Sequence, residues 1–67
     1  MDWERVEKVL DEARSLAEKL CSCLSMLREA ARLRHDTIYK QGKDFLGAVW
    51  GALEARLKDL SEAEEGS

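Results

Sequence analysis

Apolar residues recur every three or four positions from the start of the chain: Trp3, Val6, Leu10, Ala13, Ala17, Leu20, Leu24, Leu27, Ala31 and Ile38. This is the spacing of one helical face, and only Arg34 falls out of pattern over five heptads. No glycine or proline interrupts the run between Asp2 and Tyr39. Val9, Leu16, Cys23 and Ala30 widen the stripe on one flank, and Met26 and Leu33 add apolar surface farther round. A helix apolar over so wide an arc calls for neighbours on more than one side.

The pattern therefore predicts a first helix over about residues 2–40, with Asp2 as its N-cap and Met1 and Val6 placed as a hydrophobic staple. Gly42, within Tyr39-Lys40-Gln41-Gly42-Lys43-Asp44, is the punctuation. Glycine can end a helix at positive φ, and Asp44 can cap the next, so the turn falls at 41–43. A second helix follows over about 44–60, with the stripe Leu46, Val49, Trp50, Leu53, Leu57 and Leu60. Beside it Gly47, Gly51 and Ala55 repeat every four residues, a spacing that lets another helix approach closely. The acidic tail 61–67 ends in Gly-Ser and is expected to fray.

These lengths do not match. The first helix would run about 57 Å and the second about 26 Å. Folded back, the second covers roughly Leu24 to Ile38 and leaves the earlier stripe bare. A large uncovered apolar stripe marks an association surface. The expected fold is all-α: a long helix and a shorter one in a single-domain hairpin, dimerising into a four-helix bundle. Its predicted interface is Trp3, Val6, Leu10, Ala13, Leu16 and Leu20.

Composition agrees with this class. The chain has 67 residues, 45% of them hydrophobic, no proline and two cysteines. A chain this short buries only about 60% of its unfolded surface, so a partner is a natural source of further stability. The net charge of −3 is unevenly spread. Residues 1–20 hold four basic and six acidic groups, residues 21–43 five and two, and residues 44–67 two and six. A basic middle between acidic ends permits an anionic partner without requiring one.

The charged N-terminus does not read as a signal peptide, and the apolar run from Phe45 to Leu53 is too short to span a bilayer. Two cysteines suit a reducing compartment, so the expected address is cytoplasmic.

Little in the sequence suggests chemistry. Cys21 and Cys23 point about 200° apart on a helix and cannot share a metal or bridge each other. His35, the sole histidine, lies about 21 Å farther along the axis from Cys21. No glycine-rich phosphate loop, paired-carboxylate motif or nucleophile elbow is present. The reading is a protein that is not an enzyme, with no metal, cofactor or small-molecule substrate.

One polar feature stands out. Arg28, Arg32, His35 and Tyr39 fall at i, i+4, i+7 and i+11, a single stripe, extended by Arg14, Cys21 and Ser25 and bordered by Lys40 and Lys43. It reads either as a solvated flank, like the helix pairs Glu4–Lys8, Asp36–Lys40 and Glu54–Lys58, or as a face that follows nucleic-acid phosphates. The run Leu20-Cys21-Ser22-Cys23-Leu24 leading into Arg28 and Arg32, then Lys43 before Val49-Trp50-Gly51, resembles the nodavirus family of RNA-silencing suppressors. The echo covers about thirty residues. It implies a dimeric helical hairpin that binds double-stranded RNA by its shape, with Cys21, Arg28 and Arg32 carried over, and a place in the host cell's cytoplasm; the stripe itself adds Arg14, His35, Lys40 and Lys43 as possible nucleic-acid contacts. Two functions are therefore expected: a homo-oligomerisation and protein-interaction module, or a duplex-RNA-binding dimer.

Overall fold

The computed structural model describes residues 1–66 and contains two α-helices of 30 residues each. Helix α1 runs Trp3–Arg32 and α2 runs Asp36–Glu65. They fold into an antiparallel hairpin about 50 Å long, with no strand among the described residues. The all-helical hairpin expected from the pattern is present, but its division differs. The first helix ends eight residues before residue 40, the second begins eight before Asp44, and residues 61–65 are helical. Of the expected frayed tail, Ser67 lies outside the described residues.

The reversal sits at Leu33, Arg34 and His35. Arg34 has φ 56°, the left-handed conformation that closes helices and is usually given to glycine. The Arg34 amide donates to the Ala31 carbonyl at 3.1 Å and the His35 amide to the Ala30 carbonyl at 2.9 Å. These two bonds satisfy the last carbonyls of α1 in the Schellman pattern. His35 then caps α2, its Nδ1 accepting from the Ile38 amide at 3.3 Å. Arg32 in the last turn of α1 and Asp36 in the first turn of α2 each suit the helix dipole they meet. At the other end Asp2 caps α1 as expected, its carboxylate accepting from the Arg5 amide at 3.1 Å.

Gly42, expected as the turn, is instead buried inside α2. A Cβ there would lie 2.8 Å from Leu27 Cδ2 and 2.9 Å from Met26 Cε. The glycine is needed for close approach, and the buried Cys23 thiol donates to its carbonyl at 3.3 Å across the pair. Gly47 and Gly51, expected to seat a neighbouring helix, have open space where a Cβ would stand, and Ala55 is exposed. That stripe does not mediate packing between α1 and α2.

The seam has the 3–4 repeat of a coiled coil. Val6, Val9, Ala13, Leu16, Leu20, Cys23, Leu27 and Ala30 of α1 are buried or half-buried. So are Gly42, Leu46, Val49, Leu53, Arg56, Leu60 and Ala63 of α2. The register is marked by the Asp2 amide donating to the Ala63 carbonyl at 3.2 Å, by Glu12 with Arg56, and by Cys23 with Gly42. Because the helices are equal in length, α2 reaches the whole of α1. The predicted bare ridge, and the length mismatch behind it, are not found.

Candidate interaction surface

Two helices side by side cover only the two heptad columns that face each other. The apolar arc of α1 is three columns wide. Trp3, Leu10, Ala17 and Leu24, seven residues apart, form a column beside the seam, and Trp50 and Leu57 form the matching column on α2. Both columns lie on the same side of the hairpin. Leu20 and Leu24 share a hollow of about 450 Å³ with Lys43, Leu46, Gly47 and Trp50. Trp3, Leu10, Leu24, Trp50 and Leu57 are each between 49% and 65% exposed, too much for side chains of this size to count as core. The antiparallel register sets Leu10 level with Leu57 and the small Ala17 level with Trp50.

The opposite face is closed by charge. Arg5 meets Glu62 at 3.6 Å, and Arg56 meets both Glu12 at 3.3 Å and Asp59 at 2.9 Å. Arg56 occupies a seam position, and its Nε is buried with no hydrogen-bond partner. These half-exposed pairs are screened by water, so each contributes little energy. Toward the turn this face becomes apolar, with Met26 and Phe45 beside a hollow of about 390 Å³.

The predicted interface is therefore divided. Trp3 and Leu10 stand on the open face, whereas Val6, Ala13, Leu16 and Leu20 belong to the seam with α2. Leu24, Trp50 and Leu57 were expected to pack within the hairpin and instead complete the open face. Their spacing of seven, one column over from the seam, is the signal that marks them.

The predicted basic stripe is also divided. A row from Arg28 through Arg32 and His35 to Tyr39 requires an unbroken helix, and the chain reverses between Arg32 and Asp36. Arg14 pairs with Glu18 at 3.7 Å. Arg32 is held by Glu29, whose hydrogen bond raises the guanidinium pKa above its ordinary value. His35 is engaged in the cap. Cys21 is exposed, while Cys23 is buried. The turn gathers Arg34, His35, Asp36, Tyr39 and Lys40 around a hollow of about 480 Å³. Arg28 and Lys43 remain exposed on separate helices.

Among the described residues, no three His, Cys, Asp or Glu side chains converge as a metal site would require. No helix there is long and apolar enough to cross a membrane. No family model or curated protein matches the sequence, and no solved structure matches the fold.

Proposed function

We propose that this chain is a non-catalytic homo-oligomerisation and protein-interaction module, pairing through its open apolar face into a four-helix bundle. The carrying observation is the single face that holds Trp3, Leu10, Leu24, Trp50 and Leu57 without cover. Area supports the same reading. A compact monomer of 7.6 kDa exposes about 4,300 Å² by the usual scaling, and this hairpin exposes 5212 Å². The excess, roughly 900 Å², is close to what one partner buries in a standard stable interface. A second hairpin laid on the face adds the missing layer of a helical core.

Light scattering on the intact chain and on a Leu10→Asp, Trp50→Glu variant tests this. The expected result is a dimer that the substitutions reduce to monomer while leaving much of the helicity. A monomeric intact chain with full helicity at high micromolar concentration would overturn the reading.

The second reading, duplex-RNA binding, draws support from the basic turn half, where Arg28, Arg34, Lys40 and Lys43 are exposed. A gel shift with double-stranded RNA across a salt series tests it. Backbone binding weakens steeply with salt, so no retardation even near about 50 mM would exclude it.

A further inference from the structure

We infer that the second copy lies on the open face end for end, so that the turn of each hairpin covers the open end of the other. This rests on the association reading above and concerns which partner orientation the face accepts.

Charge carries the argument. The hairpin is polar along its length, because the basic residues 21–43 fold around the turn and the acidic stretches 1–20 and 44–67 run to the open end. Sequence charges give the turn half a net +3 and the remainder a net −6. Along the rim of the open face the sign changes in the same way. Glu7, Glu54 and Glu64 stand toward the open end and Arg28, Lys40 and Lys43 toward the turn; Arg14, paired with Glu18, and Asp36 are the exceptions. Two copies placed turn beside turn would set like charge against like along the whole interface. Two copies placed end for end set opposite charges together.

The positions match individually. Arg28 and Glu7 lie equally far from the midpoint of α1, about 16 Å on either side at the ordinary helical rise. A two-fold axis across the midpoint brings each Arg28 level with Glu7 of the second copy. Lys40 comes within one turn of the second copy's Glu64.

Shape agrees with charge. Ala17 and Trp50 fall at the midpoints of α1 and α2, so the axis sets each indole beside the second copy's indole and each Ala17 beside its counterpart. Leu10 and Leu57 lie about 10 Å below the midpoint, as far as Leu24 and Lys43 lie above it. End-for-end pairing carries Leu10 and Leu57 of each copy over the hollow between Leu24, Lys43 and Trp50 of the other. Turn-to-turn pairing sets hollow against hollow and Arg28 against Lys40.

The test uses the full chain with one spin label at the turn, as Leu33→Cys with the exposed Cys21→Ser, and reads the distance between labels across the dimer. The hairpin is 50 Å long, so end-for-end pairing places the labels about 50 Å apart. A distance below about 25 Å in a protein that remains dimeric would overturn the orientation and leave the association reading intact. A monomer would overturn both. A second measurement has opposite signs for the two arrangements. Arg28→Glu should weaken the end-for-end dimer about 3- to 10-fold at low salt, and Glu7→Arg in the same chain should restore it. Tighter dimerisation by Arg28→Glu alone would mean that position 28 faces Lys40, and would contradict the proposal.

Discussion

The two long faces of this hairpin flank the same seam and are finished differently. One is closed toward the open end by Arg5 with Glu62 and by Arg56 with Glu12 and Asp59. The other carries Leu10, Leu24, Trp50 and Leu57, and among the described residues no ion pair crosses it. The sealing pairs add little stability, being half exposed, yet they are expensive to bury against an apolar partner. Their effect is to make that end of one face a poor interface, which on the proposed reading leaves association to the other. In the proposed dimer charge selects where contact occurs, while apolar area supplies the attraction.

The largest effect should come from breaking that contrast on the open side. Leu10→Asp combined with Trp50→Glu places buried charge in both halves of a symmetric interface, and should weaken dimerisation at least about 100-fold. Phe45→Glu, on the opposite face, should leave the mass in solution unchanged. If both changes dissociate the protein equally, the faces are not distinct.

Next in size is the seam that both faces share. Gly42→Leu forces a side chain into the space of Leu27 and Met26, and should cost about 2–3 kcal/mol in chemical denaturation. Gly51→Ala, which meets nothing within 4 Å, should instead stabilise α2 by up to about 1 kcal/mol. Little or no loss at Gly42 would show that α1 and α2 do not approach as closely as described.

The turn offers a smaller gain. Arg34→Gly relieves a left-handed non-glycine residue and should raise stability by about 0.5–1 kcal/mol, net of the Arg34 guanidinium bond to the Ala31 carbonyl. A fall in stability would show that this bond outweighs the strain. The smallest change is expected at Arg56→Leu. It extends the apolar seam but leaves Glu12 and Asp59 unpaired in water, so thermal stability should shift by no more than about 1 kcal/mol.

How far the sequence discloses this fold depends on which columns are considered. The helical class, the Asp2 cap and the apolar arc of α1 follow directly from residue spacing. The reversal does not, because Arg34 occupies the left-handed position where glycine is expected. Glycine marks both turns and close approaches, and Gly42 serves the second use where its sequence context suggests the first. A usable signal was present: Arg32 and Arg34 followed by Asp36 is the charge order of one helix ending and another beginning.

The same ambiguity affected the site. A 3–4 apolar spacing places the arc but not its centre, and a shift of one heptad column exchanges seam for surface. Hence spacing alone places Val6 and Leu16 outward and Trp50 and Leu57 inward, the reverse of the structure, whereas Trp3 and Leu10, at the arc's edge, stand outward on either reading. The length mismatch follows from a turn at Gly42 and vanishes with the turn at Arg34. The uncovered surface has a different origin, since two helices leave the third column of the arc open.

The central claim, that this third column exists to receive a second copy, is most directly tested by sedimentation equilibrium of the intact chain from low to high micromolar concentration. The account predicts a reversible rise from the 7.6 kDa chain mass to twice that value and no further. A single 7.6 kDa species across the range, with circular dichroism of a fully formed hairpin, would contradict it.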